Sequence, residues 1–254
     1  MQGRLTTPDT NHMQEFPIKN WRQEFDILKN IDLRGVEWIV TKKHFLDNPL
    51  VLNPKMIQNF PISSVCLDVL VDKNISQRHF LEKTLGVFCY LIGDTSINKI
   101  TIPLLEESSL EDDEKRKDFC QEIVKIADKY QGINFSFEAE LSIKKLNEII
   151  SLRDNFSVTY DTGNITSYGI EHSEYINFFK EKINNVHIKD RTYDARTVAP
   201  LTGDTKFSNI FQSLKDINYD GSFVLQTARG TPGQETKTVI EHKKIFEEIY
   251  EKYF

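Results

Sequence analysis

Four segments in the second half of the chain each finish a β-like run on a residue able to ligate a metal. They are Ile133-Asn134-Phe135-Ser136-Phe137-Glu138, Val158-Thr159-Tyr160-Asp161, Val186-His187 and Phe223-Val224-Leu225-Gln226. Polar residues at the same end of successive strands point to one shared site, because the C-terminal strand ends of a parallel barrel converge where chemistry is done. Each residue also has a plainer reading. Glu138 would serve equally as a rim carboxylate bonded to a loop, and Asp161 opens Asp161-Thr162-Gly163-Asn164, a composition that favours a turn. A single His among apolar residues is usually a satisfied core histidine, but Lys189 and Asp190 follow His187 directly and mark a polar strand end. Gln226 can lend its amide oxygen to a hard cation but cannot act as a base. Two carboxylates, one imidazole and one amide together suit Mn²⁺, Mg²⁺ or Co²⁺, with Zn²⁺ or Fe²⁺ also compatible. Without a Cys cluster, a structural zinc site is disfavoured.

Other strand ends supply groups for a ligand. Glu37, Asp68 and Glu106 follow apolar runs, Arg4 lies on the first, and Asp190, Arg191, Arg196 and Arg229 lie just past the last two. Arginines gathered at a rim would hold a phosphate or carboxylate bidentately. Pairing with rim carboxylates such as Asp190 is an equally natural use. Arg4, Glu37, Asp68, Glu106, Asp190, Arg191 and Arg229 are therefore the expected substrate-binding set, and Glu138 and Lys189 the expected catalytic pair.

Alternating elements must position these groups. Short runs rich in Val, Ile and Phe predict strands at 2–5, 35–40, 62–67, 99–104, 134–137, 157–160, 185–188 and 222–225. Between them the spacing predicts helices at 21–30, 77–91, 111–130, 142–152, 172–182, 208–217 and 236–253, with Ser142 and Ser208 offering hydroxyl caps. The acidic run Glu111-Asp112-Asp113-Glu114 suits a helix N-terminus. Eight strands alternating with helices, with no Pro/Gly-rich linker, predict a single α/β (β/α)₈ TIM barrel with parallel strands and outer helices over residues 1–254. A doubly wound open sheet is the structural alternative, disfavoured because no Gly-rich phosphate loop follows the first strand.

Composition narrows the function classes. With 39% hydrophobic and 28% charged residues the chain reads as a soluble globular protein. A net charge of -6 and the lack of a Lys/Arg block argue against nucleic acid as a partner. Three cysteines without Cys-x-x-Cys spacing fit a reducing cytoplasm better than a disulfide framework, and Cys66 reads as a small core residue. No apolar stretch is long enough to span a bilayer, and Met1–Leu5 lacks the apolar segment of a signal peptide. The aromatic tail Tyr250, Tyr253 and Phe254 would dock on its own barrel or serve a homo-oligomer.

These residues resemble the xylose isomerase-like TIM-barrel superfamily, in particular its sugar phosphate isomerase/epimerase branch. The resemblance runs through nearly the whole chain. It is carried by Met1-Gln2-Gly3-Arg4-Leu5, Glu37-Trp38, Ser64-Val65-Cys66-Leu67-Asp68, Tyr160-Asp161-Thr162-Gly163-Asn164, His187-Ile188-Lys189-Asp190-Arg191 and the Pro200-Leu201-Thr202-Gly203-Asp204 loop. It implies one divalent metal held by a Glu, an Asp, a His and a second Glu. The first three fall on Glu138, Asp161 and His187, while the fourth falls on Gln226, where the sequence departs. In ketose epimerases the two glutamates are also implied to be opposed acid and base, of which this chain keeps only Glu138. DNA-repair endonucleases of the same fold use more His ligands than are present here. The expected function is a metal-dependent isomerase or epimerase acting on a sugar or sugar phosphate through an enediolate, with Glu138 as base. Losing the second Glu tilts the chemistry towards isomerisation, or towards another second base such as Asp68, Glu106 or Asp190. Alternatives are a non-catalytic sugar-acid binding barrel and a metal-dependent hydrolase or lyase on the same fold.

Overall fold

The computed structural model describes residues 1–8 and 14–254. The strands in chain order are Val36–Ile39 (β1), Ile62–Cys66 (β2), Lys99–Leu104 (β3), Asn134–Ala139 (β4), Phe156–Asp161 (β5), Ile183–Ile188 (β6), the short pair Asp190–Arg191 (β7) and Thr197–Val198 (β8), and Ser222–Leu225 (β9). The helices are Trp21–Asn30 (α1), Pro49–Leu52 (α2), Arg78–Lys83 (α3), Leu85–Ile92 (α4), Asp113–Lys129 (α5), Ile143–Ile150 (α6), Thr162–Tyr168 (α7), His172–Phe179 (α8), Phe207–Asp216 (α9) and Glu235–Tyr253 (α10). Seven strands form one parallel sheet in the order β1-β2-β3-β4-β5-β6-β9, while β7 and β8 make a separate antiparallel pair. This is the α/β barrel that the alternation of elements predicts, nearly closed by seven strands.

The first of the eight predicted strands, residues 2–5, is not a strand. The segment instead bridges the seam between β9 and β1 with individual hydrogen bonds. Glu37 N donates to Met1 O (2.8 Å) on one side, while on the other Arg4 Nε donates to Thr227 O (2.9 Å) and Arg229 Nη2 to Gly3 O (2.8 Å). Gly3 has φ +49°, and a Cβ there would lie 2.9 Å from Glu15 O, so this tight passage requires glycine.

Local chemistry explains most of the other boundaries. Asp112 caps α5 by accepting Lys115 N at 2.8 Å, with Asp113 and Glu114 in the first turn, so the acidic run serves the helix dipole. Ser142 caps α6 at 3.3 Å. Ser208 does not cap, because α9 begins one residue earlier at Phe207. The predicted 77–91 helix breaks at Thr84, where φ and ψ of -106° and -75° interrupt α3 and α4. The predicted turn at Asp161 is a helix start: its Oδ1 takes the backbone N–H of Gly163 and Asn164, capping α7.

Two kinds of interior result. Outward strand faces pack on the helices through aromatic rings, as in Phe137 against Phe119 of α5 (6.2 Å), with Phe156 of the neighbouring β5 5.2 Å away. Each such fully buried ring contributes roughly 1.5–3 kcal/mol. The aromatic tail docks within its own chain, with Phe254 6.1 Å from Phe223 and stacked on Tyr250. The inside of the barrel is different. Glu37, Ser64, Thr101, Ser136, Thr159 and Asn185 are buried there and bonded to one another, in place of the branched apolar layers that fill most barrels. None of the described helices is long and apolar enough to cross a membrane.

Candidate metal centre

Glu138, Asp161 and His187 come from three adjacent strands, β4, β5 and β6. Asp161 and His187 are direct register partners across β5 and β6. A β-bulge creates that pairing. Val158 faces Ile183 but Thr159 faces Asn185, so Asn184 is an extra residue in β6. Asn184 and Asn185 therefore both turn polar groups into the barrel, bonding to Ser136 and Glu37 respectively. Were the same residues paired without the bulge, Val186 and not His187 would stand opposite Asp161.

Ligand atoms of Glu138, Asp161 and His187 lie within 4.8 Å of one another, and all three side chains are buried. His187 Nδ1 is 3.3 Å from Glu138 Oε2 and 3.9 Å from Asp161 Oδ2. Glu138 Oε1 is held by Asn164 Nδ2 at 2.8 Å, which leaves Oε2 on the His187 side. Lys189 Nζ reaches Asp161 Oδ2 at 2.8 Å, an ion pair without hydrogen-bond alignment.

Among the described residues, His187 Nδ1, Asp161 Oδ2 and Gln226 Oε1 are buried atoms with no hydrogen-bond partner. A buried polar atom left unmade costs about 1–3 kcal/mol. Two of the three orphans face one another across the Glu138–Asp161–His187 cluster, and the third sits just past β9, next to β6. A cation held by two carboxylate oxygens and one imidazole nitrogen would satisfy the two at the cluster, so the Glu138–Asp161–His187 donor set fits a divalent metal.

The electrostatics follow from crowding of charge out of water. Burial acts to raise Glu37, but the facing imidazole of His187 outweighs it and brings this carboxyl down to about 2. Burial acts to lower His187, but Glu37 and Glu138 push it up to about 10. Asp161 is held below the usual carboxylate range, because Lys189 and His187 outweigh its burial. Asp68 goes the other way: burial, with Glu138 and Glu106 nearby, pushes it up to about 6.

The remaining expected site residues separate into distinct roles. Glu37 does not open onto a ligand: it is fully enclosed, and its two oxygens accept from Gln2, Ser64, Thr101 and Asn185 while Oε1 lies 2.8 Å from His187 Nε2. Asp190 is also committed, accepting the backbone N–H of Thr202, Gly203 and Thr205 and so pinning the loop after β8. Arg4 spends its donors on Thr227 O, Gln2 O and Gln14 Oε1, and burial beside Arg229 lowers it to about 9. Arg4 and Arg229 thus both bond backbone carbonyls at the seam, where fixed guanidinium forks satisfy groups a strand would have paired. Arg191 lies 3.5 Å from Glu140 and donates to Ser167. Arg196 pairs with Asp194 at the surface. Asp68 is half-buried and Glu106 exposed at the mouth.

Four contributors escape a reading of strand ends. Asn164 fixes Glu138 from the first turn of α7, and Ser64, Thr101 and Asn185 bind Glu37 from below. Their signal is period-two alternation: Asn185 precedes His187 by two residues, and Ser64 precedes Cys66 by two. Cys66 correspondingly lies outside the hydrophobic core cluster, and its thiol is pushed up by burial and by Glu37 and Glu138.

Known structures share this architecture. L-ribulose 3-epimerase superposes with a TM-score of 0.74 at 13% identity, covering 100% of this chain and 94% of that one. The IolI protein with a bound zinc atom gives 0.73 at 17%, covering 92% and 94%. D-psicose 3-epimerase with D-tagatose, from Clostridium cellulolyticum H10, gives 0.70 at 14%, covering 92% and 93%. None of the curated proteins matches the chain significantly in sequence. The family model for the xylose isomerase-like TIM barrel matches residues 88–247, more than half of the sequence and the stretch that carries Glu138, Asp161, His187 and Gln226. With the barrel and its convergent strand ends in agreement, the chain belongs to the xylose isomerase-like TIM-barrel family.

Proposed function

We propose that this protein is a divalent-metal-dependent isomerase or epimerase acting on a sugar or sugar phosphate through an enediolate, with Glu138 as the base. The observation that carries the reading is the meeting of Glu138, Asp161 and His187 within 4.8 Å, with buried atoms that lack hydrogen-bond partners. The names of the structural neighbours support it, since they include ketose 3-epimerases and a zinc-binding relative. Glu138, Asp161, His187 and Gln226 would hold the metal. It would supply Lewis acidity, polarising a carbonyl so that the adjacent C–H proton is more easily lost.

The chain's own residues do the rest. Glu138 takes the proton, its carboxylate oriented by the Asn164 amide bonded to Oε1. Lys189, whose ammonium lies 2.8 Å from Asp161 Oδ2, stabilises charge that develops on the substrate oxygen. Asp161 is kept ionised by Lys189 and His187. Epimerisation needs a second proton carrier on the opposite face. Asp190 is committed to its loop, and Glu106 is exposed. Asp68 has neither a side-chain hydrogen bond nor an ion pair among the described residues, and its raised pKa suits a proton donor near neutrality, so Asp68 takes that role.

Incubating a panel of sugars and sugar phosphates in heavy water tests the reading. Solvent deuterium should enter a carbon next to the carbonyl with Mn²⁺ present, and the rate should fall at least about 100-fold without metal or in Glu138→Gln. Equal exchange in all samples would reject the mechanism. Tight sugar-acid binding with no exchange would instead favour a non-catalytic binding barrel.

A further inference from the structure

Gln226 is the departure in the ligand set, and the structure surrounds it with a defined hydrogen-bond polarity. Its side chain is fully enclosed. Its Nε2 donates to Gln2 Oε1 at 2.9 Å, and Gln2 Nε2 in turn donates to Glu37 Oε1 at 2.9 Å. Arg4 Nη1 also approaches Gln2 Oε1, at 3.4 Å. The direction of each bond follows from its neighbour. Glu37 already accepts from Ser64, Thr101 and Asn185, so it presents an acceptor and Gln2 must turn its NH₂ towards it. Gln2 then offers its oxygen to Arg4 and to residue 226. Residue 226 must therefore donate to Gln2, and its other amide atom, the oxygen, is the one left without a partner. Turning Gln2 round would set oxygen against the Glu37 carboxylate and nitrogen against Arg4, two mismatches at once.

We propose that Glu37 and Gln2 are positioning residues that lock the Gln226 amide with its oxygen turned to the cation site, making glutamine the ligand this barrel is built to take. The proposal rests on the metal-centre reading above. A glutamate at this position has no N–H to give Gln2, so its carboxylate would face an acceptor in a buried site. The usual expectation, that an anionic ligand tightens divalent-cation binding, is reversed here.

Calorimetric titration of Mn²⁺ into the full chain tests this without any turnover measurement, with thermal melts showing that each variant is folded. The Gln226→Glu variant should bind Mn²⁺ about 10-fold more weakly than the natural chain, the scale seen when outer partners of metal ligands are lost. Adding Gln2→Lys, whose ammonium can donate to both carboxylates, should recover most of that loss. Tighter binding in Gln226→Glu, or a double variant no better than the single one, overturns the proposal. Mn²⁺ binding with this pattern but no deuterium exchange into any sugar would sink the proposed function and leave this inference standing. A natural chain that binds no Mn²⁺ removes both.

Discussion

Nε2 of His187 lies 2.8 Å from Oε1 of Glu37, and neither side chain exposes any surface. The contact commits one ring nitrogen to the interior and leaves Nδ1 for the mouth, where Glu138 and Asp161 stand. Because His187 is raised to about 10, the metal-free protein holds a proton that a cation must displace from Nδ1. Mn²⁺ affinity should therefore rise with pH between 7 and 9, with about one proton released per ion. Titrations in buffers of different ionisation enthalpy measure that number, and no release would contradict it. The sign for stability is opposite. The raised His187 stabilises the metal-free fold fully below its unfolded value near 6.5, and this contribution is lost as pH climbs through about 10. The urea midpoint should fall over that range, and less steeply in His187→Asn.

Lys189 and Mn²⁺ would share Asp161. Lys189→Met removes a cation 2.8 Å from Oδ2, so Mn²⁺ binding should tighten several-fold. Deuterium exchange into substrate should nonetheless fall by about 100-fold, since the donor to the developing oxyanion is gone. Weaker metal binding together with unchanged exchange would show that Lys189 merely balances charge.

Asp68 gives a test with two parts. Its folded pKa is raised to about 6, above the ordinary carboxyl value, so its ionised form weakens the fold. Metal-free Asp68→Asn should be more stable than the natural chain at pH 7.5 and lose that advantage by about pH 4, where both side chains are neutral. In the loaded enzyme the same variant should still exchange deuterium but lose epimer formation, read by NMR of the products. Epimer formation at the natural rate would return the second proton step to another group.

Gly203 lies under the Asp190 carboxylate. A Cβ there would overlap Asp190 Oδ1 and sit 2.8 Å from Arg191 O, while the Gly203 N–H donates to Asp190 Oδ2 at 3.0 Å. Gly203→Ala should cost about 1–3 kcal/mol in urea denaturation and raise amide exchange at residues 202–205. An unchanged midpoint would mean that Asp190 does not pin this loop.

The sequence by itself determined the alternation of elements and the donors at the strand ends, because short β-branched runs between amphipathic helices can bury their faces only as a covered parallel sheet. Asp161 illustrates the boundary of that reading. Its type and place are written in Tyr160-Asp161-Thr162-Gly163, but a turn and a helix start share that composition, and only the chain beyond it decides. Tertiary structure alone decided what faces inward. One extra residue, Asn184, reverses the alternation of β6 and brings His187 opposite Asp161, and a bulge leaves no mark in a list of residue types. The seam is similar: residues 2–5 look like a strand, yet Gly3 and two arginines settle them by separate hydrogen bonds. Glu37 had the right chemistry for a ligand-binding carboxylate. It became the anchor of His187 and Gln2 because five groups from the N-terminal segment and strands β2, β3 and β6 close over it, and such enclosure exists only once the barrel has formed.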